Sequence, residues 1–337
     1  MRNDVRQSQL ITWISKNFPG DKIQFSVMSG DAGFRRYFRF NYKNQPYIAV
    51  DSPSQWCNNA AFTAIQTMLK EAEIEVPEIV AQDKDQGFFC LSDLGDTLLS
   101  DIVSPENMAS HYQQAIKLLP KISSLSCENI PRFDEKFIQT ELTIFVEWLL
   151  AKHLSIVLAE DEQQQLAACF SFLIDNALSQ PQVFMHRDFH SRNIMQLANQ
   201  TFAVIDFQDA VCGPITYDIV SLLRDCYLKW PDDKVFELFD SFIELQTQQH
   251  QLTGISKAQW LRWFDLMGLQ RHIKASGIFA RLYHRDQKVS YLKDIPLTLS
   301  YIVDVSQRYP ELSFLAHLVS DIVLPKLKSL PKEDITS

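Results

Sequence analysis

The run His186-Arg187-Asp188-Phe189-His190-Ser191-Arg192-Asn193, followed by the apolar segment Phe202-Ala203-Val204-Ile205 ending in Asp206, constrains this chain more than any other feature. An Asp and an Asn five positions apart on a loop, with a second Asp closing the next strand, is the spacing that phosphoryl transfer uses. In that chemistry Asp188 accepts the hydrogen bond of an acceptor hydroxyl and takes its proton late. Asn193 offers Mg²⁺ a neutral oxygen, and Asp206 a hard anionic one that holds the metal against the β- and γ-phosphates of ATP. A lone His-Arg-Asp arises by chance; the three features together do not come easily. His186 reads as a brace for the loop. His186 and His190 would form a metal pair only on a helix, and this segment is a strand running into a loop.

Periodicity divides the chain in two. Residues 8–18 and 58–73 have helical spacing, with Leu10, Ile11, Ile14 and Phe18 on one face of the first and Phe62, Ile65, Met68 and Leu69 on one face of the second. Between them, residues 22–51 read as three antiparallel strands joined by turns, and residues 88–91 as a short apolar strand. Beyond Thr97 the pattern is helical over residues 106–123, 136–157, 162–179, 216–229, 233–251, 257–283, 296–308 and 311–324. A β-rich insert interrupts it over 183–205. The expectation is an α+β fold with a small antiparallel-sheet N-lobe (residues 1–94), a larger helical C-lobe (residues 95–337) and a cleft at the join.

Composition narrows the partners. The 32 basic and 41 acidic residues give a net charge of −9, the wrong sign for a general nucleic-acid binder. The first 18 residues have no continuous apolar core and no stretch approaches the length of a membrane span, so a cytoplasmic protein is expected. Six cysteines lie far apart without a Cys-x-x-Cys pair, which favours reduced, buried thiols over a disulfide frame.

The 186–193 run resembles the catalytic loop of the aminoglycoside phosphotransferase and choline kinase superfamily, in which a second His two residues after the Asp is frequent. Asp206-Phe207-Gln208 resembles its metal-binding strand end, although an acidic residue often stands where Gln208 is. Gly213-Pro214-Ile215-Thr216-Tyr217-Asp218 resembles the following turn and helix, and implies that Asp218 supports the catalytic loop. The interval from Asp206 to Gly213 is too short for a protein-kinase activation segment. Residues 30–39, 207–210, 224–227 and 268–274 further resemble a branch of bacterial anomeric N-acetylmuramate/N-acetylglucosamine kinases. The resemblance implies a protein-kinase-like bilobal fold, ATP and Mg²⁺, and an amino sugar as acceptor. An aminoglycoside, choline or other small-alcohol kinase, and a non-catalytic nucleotide-binding scaffold, are the alternatives.

On the nucleotide side, a turn at Gly30, Asp31 and Gly33, with Phe34 after it, can bring backbone N–H groups to phosphates. The stretch Leu91 to Asp93 stands where the superfamily's hinge meets adenine. Most kinases carry a Lys on the third strand, but here that strand ends in Asp51, so Arg35 or Arg36 is proposed to supply part of the missing charge. The alternative is that both arginines are solvated sheet residues. On the acceptor side, Arg224, Asp225, Arg271 and His272 lie on two helices after the loop. Charged residues on a helix usually form its solvated face. The sharper expectation is an Arg, with Arg271 and Arg224 foremost, that reads the lactyl carboxylate of N-acetylmuramate, while Asp225 holds a sugar hydroxyl.

Overall fold

The structure is a computed structural model that describes residues 5–20, 23–28 and 34–330. The predicted Gly30–Asp31 phosphate turn lies outside the described residues. Contacts divide the chain into two units, Met1–Ile102 with Arg192–Asp209, and Val103–Ser191 with Ala210–Ser337.

The first unit is built on a five-stranded antiparallel sheet in the order β1-β2-β3-β5-β4, with β1 at Ser26–Met28, β2 at Arg36–Tyr42, β3 at Gln45–Asp51, β4 at Ile79–Asp83 and β5 at Phe88–Ser92. Strand β4 was not expected from sequence. It is a half-exposed partner of β5, and its apolar residues alternate too weakly to stand out. The N-terminal helix Val5–Asn17 buries Leu10 and Ile14 against Phe38, Phe40, Ala49, Phe88 and Cys90 of the sheet. Helix Asn59–Glu71 is capped by Asn58, whose side chain accepts from the Ala61 N–H.

The segment Arg192–Asp209 belongs to this unit because a small hairpin there, β7 (Ile194–Gln196) with β8 (Phe202–Val204), bonds to it at both edges. The Gln196 N–H donates to the Thr97 carbonyl and the Val204 N–H to the Glu75 carbonyl, each at 2.9 Å. The sequence reading cut the chain after residue 94; the contacts carry the first unit to Ile102 and return this hairpin to it.

The second unit is mainly helical. The expected helix over 106–123 is two pieces, Met108–Ile116 and Leu119–Ser123, with Pro120 in the first turn of the second. The expected helix over 136–157 is α-helical from Glu135 to Ile144 and π-helical over Phe145–His153. That change falls where the long helix Lys257–Asp286 crosses it. A Cβ on Gly277 would stand 2.6 Å from the Ile144 carbonyl carbon and the Phe145 nitrogen, so the crossing depends on glycine. Only Tyr217–Leu223 of the expected 216–229 helix forms.

Strands β6 (Gln182–Met185) and β9 (Val211–Pro214) pair antiparallel and deliver the chain to the 186–191 loop. Here the cysteine expectation is corrected: Cys127 and Cys212 form a disulfide, with Cα atoms 5.5 Å apart, across 85 residues of sequence. The Phe133 N–H donates to the Cys212 carbonyl and the Cys212 N–H to the Pro131 carbonyl, each at 2.8 Å. Those bonds draw the segment after Cys127 along β9, a juxtaposition that no spacing rule reveals.

Candidate active site

In the second unit, β6 ends at Met185 and the chain turns sharply. Arg187 adopts φ +78°, a left-handed conformation that a non-glycine residue holds only where its surroundings enforce it. Asp218, in the first turn of helix Tyr217–Leu223, supplies the enforcement. Its two carboxylate oxygens accept from the backbone N–H groups of His186 and Arg187, at 2.7 and 2.9 Å. Burial pushes the Asp218 carboxyl up to about 7, against those two donors, which hold it down. His186 is buried with its ring edge-on to Phe189.

Asp188 follows. Burial raises its carboxyl, but Lys274, Arg187, His190 and Arg271 outweigh burial and hold it down at about 2. Sequence reasoning missed the ionic frame that keeps Lys274 and Arg187 in place. Glu141, buried in helix Glu135–Ile144, accepts from Arg187 Nη2 at 2.7 Å and from Gln270 Nε2 at 2.9 Å. Its carboxylate also stands 3.3 Å from Lys274 Nζ, which donates to the Tyr217 hydroxyl at 3.0 Å. Nothing near Glu141 in the sequence marks it, and it lies 46 residues before Arg187. Lys274 did carry a signal, since it shares a helix face with Gln270 and Arg271.

The acceptor-side candidates are buried rather than solvated: Arg271 and His272 because helix Lys257–Asp286 is enclosed on nearly all sides over its central turns, Arg224 and Asp225 in the segment just after helix Tyr217–Leu223. Asp225 accepts from the Ser191 hydroxyl at 2.5 Å, the Ser191 N–H at 3.2 Å and the Tyr227 N–H at 3.1 Å. Arg224 donates to Asp232 at 2.7 Å and lies among Phe236, Phe264 and Tyr301. His272 stacks on Tyr301 with 4.5 Å between centroids, and its Nε2–H donates to the Arg224 carbonyl at 2.9 Å. Burial drives the His272 imidazole down to about 3, so it is neutral. Arg271 lies over the Tyr217 ring, 7% exposed.

In the first unit, Asn193 and Asp206 stand at one end of the β7–β8 hairpin. Ile194 pairs with Val204, and the Asn193 carbonyl accepts from the Ile205 N–H at 3.0 Å. Asp206 is exposed and, like Arg187, left-handed, with φ +63°. An amide oxygen and a carboxylate so placed are hard oxygen donors, a set that fits Mg²⁺. Gln208 donates to Asp206 Oδ1 at 2.7 Å, so the residue that replaces an acidic one is turned onto the candidate metal ligand.

The two candidate arginines differ. Asp51, 0% exposed at the end of β3, accepts from Arg36 on one oxygen and from Arg6 on the other. The charge of Arg36 therefore serves the sheet. Arg35 instead donates to the Ser52 hydroxyl at 3.0 Å, lies 5.1 Å from the Phe62 ring centre, and buries Nη2 without a hydrogen-bond partner among the described residues. Phe62 stacks in turn on Phe207, the neighbour of Asp206. Phe34 is exposed and stacks on Trp56. Leu91 pairs with Ile48 within the sheet, and Asp93 receives Arg39 in a two-point ion pair, a clamp on the expected hinge that sequence reasoning did not find.

Residues 24–253 match the phosphotransferase enzyme family. The chain is 36% identical to an N-acetylmuramate/N-acetylglucosamine kinase of Pseudomonas putida, over 95% of this chain and 97% of that protein. It is 35% identical to the protein of the same name from Neisseria meningitidis serogroup B, over 94% and 96%. Among solved structures, a Plasmodium vivax ethanolamine kinase shares the fold at TM-score 0.62 and 13% identity, covering 89% of this chain and 94% of that one. A Streptococcus pneumoniae choline kinase does so at TM-score 0.60 and 13% identity, covering 88% and 98%. The α+β architecture is thus the protein-kinase-like one. Among the described residues no helix is long and apolar enough to cross a membrane.

Proposed function

Since this chain belongs to the phosphotransferase enzyme family and is a small-molecule kinase, we propose that it transfers the γ-phosphoryl group of ATP to the anomeric hydroxyl of N-acetylmuramate or N-acetylglucosamine, in the cytoplasm, during recycling of cell-wall sugars. The observation that carries the reading is near-complete coverage, at about 35% identity, by relatives named for that activity.

Asp188 receives the hydrogen bond of the acceptor hydroxyl. The acceptor oxygen bonds to the γ-phosphorus as the bond from that phosphorus to the β–γ bridging oxygen breaks; ADP leaves, and the acceptor proton passes to Asp188. A carboxylate held near 2 is a weak base. It suffices because a hemiacetal hydroxyl is more acidic than an ordinary alcohol and the proton moves late. Asn193 and Asp206 would hold Mg²⁺, which when bound neutralises charge on the β- and γ-phosphates.

For the nucleotide, the turn at Gly30 and Asp31 and the guanidinium of Arg35 take the phosphates, with Arg36 fixing the strand end through Asp51. The backbone from Leu91 to Asp93 meets adenine, and Phe34 contributes to the nucleotide site. On the acceptor side, Asp225 and Arg271 face the sugar, and Arg224 and His272 form the layer behind them. His186 and Asp218 hold the loop.

The test is incubation with Mg²⁺-ATP and a panel of amino sugars, aminoglycosides and choline while ADP release is followed. Turnover of the two N-acetyl sugars with loss of their reducing ends supports the reading. Turnover only with choline or an aminoglycoside removes it.

A further inference from the structure

The cations around Asp188 are not equivalent. Arg187 is held by Glu141, and Lys274 by Glu141 and Tyr217. Arg271 is different. Its Nε and Nη1 atoms are both buried, and neither has a hydrogen-bond partner among the described residues. Asp225, which lies within electrostatic reach of it, has its oxygens engaged by Ser191 and Tyr227. A buried guanidinium with open donors is costly to maintain, and the cost is removed when an anion arrives on its planar fork.

We propose that Arg271 is the receptor for a carboxylate carried by the acceptor, and that it makes the enzyme favour the acidic amino sugar over its neutral counterpart. The inference rests on the amino-sugar reading above. N-acetylmuramate and N-acetylglucosamine differ by one lactyl ether, which puts a carboxylate on the oxygen at C3. That carbon is two ring positions from the anomeric centre, so its receptor must stand near the base without occupying the base's place. A residue within electrostatic reach of Asp188, on a helix of the same unit, meets that requirement. The γ-phosphate is the other candidate anion. The acid–ester comparison separates the two, because a guanidinium on the phosphoryl group would serve every acceptor alike.

The experiment measures kcat/KM of the full chain with Mg²⁺-ATP for N-acetylmuramate, its methyl ester and N-acetylglucosamine, for the natural protein and for Arg271→Gln and Arg271→Lys. The natural protein should prefer the acid to the ester by a factor on the order of ten, the worth of a charge-assisted bidentate pair. Arg271→Gln should erase that preference, losing several-fold more on the acid than on N-acetylglucosamine, and Arg271→Lys should retain part of it. Equal rates on acid and ester with the natural protein would overturn the proposal without any variant. So would a loss in Arg271→Gln that is the same for both sugars, which would put the guanidinium on the phosphoryl group or the loop. Turnover of neither sugar by the natural protein removes the amino-sugar reading, and this inference with it.

Discussion

The Glu141 carboxylate stands 3.3 Å from the Lys274 ammonium and also accepts from Arg187, the residue just before Asp188. One buried anion therefore anchors two of the cations that set the charge of the Asp188 carboxylate. Of those cations, Lys274 acts most strongly on Asp188. The helices bearing Glu141 and Lys274 are joined to the loop by charge as well as by packing.

That frame has a pH signature. The Asp188 carboxyl is lowered from 3.8 to about 2, so it is ionised throughout the neutral range and should add no acid limb to kcat/KM above pH ~4. Its contribution to stability is of the same sign: present above its ordinary value and lost as the pH falls toward 2. Lys274→Met removes the leading cation and leaves burial to raise the carboxyl. An acid limb should then rise into view by about one pH unit or more. An unmoved profile would show that Lys274 does not govern Asp188.

Asp188→Asn keeps the shape of the side chain and removes the proton acceptor. The kcat should fall by ~10²–10⁴, with the KM for ATP little changed. Steady-state kinetics decide, and a loss under tenfold would take Asp188 out of the catalytic role.

Arg35 and Arg36 should separate. Arg35→Ala should raise the KM for ATP about tenfold or more, as loss of a charged hydrogen bond to phosphate does. Arg36→Ala, which strips one guanidinium from Asp51, should lower the melting temperature and leave the nucleotide KM closer to normal. Two unchanged KM values would end the proposal that Arg35 stands in for the usual strand lysine.

Asp51 occupies the end of the strand where most kinases carry that lysine. Asp51→Ala leaves Arg6 and Arg36 without their shared partner. It should cost about 2–3 kcal/mol in urea unfolding, less than a fully buried pair because both guanidiniums are partly exposed. Asp51→Lys puts three cations together and should cost more. A more stable lysine variant would refute the structural role.

Gly277→Ala places a Cβ 2.6 Å from backbone atoms of Ile144 and Phe145, which cannot move aside as a flexible side chain does. The expected loss is ~1–3 kcal/mol of stability. The kcat should fall with it, since Arg271 and Lys274 ride on the same helix. A variant with natural stability would show that the crossing tolerates a methyl group.

The sequence by itself determined the 186–193 loop, the hairpin ending before Asp206, most of the helices and the antiparallel strands within residues 22–51, because each of these is a local pattern of spacing and burial. It pointed to Asp218 as a support of the 186–193 loop, and that carboxylate does accept from the His186 and Arg187 N–H groups. It did not determine β4, the break at Pro120 or the π-helical turn at Phe145, which depend on what each segment packs against. Only the tertiary structure decided that Cys127 meets Cys212, that Arg36 is held by Asp51 while Arg35 is not, and that Arg271 buries donors which no described residue engages. Each is a pairing or burial across long sequence separation, and sequence distance carries no information about which charges the fold will bring together.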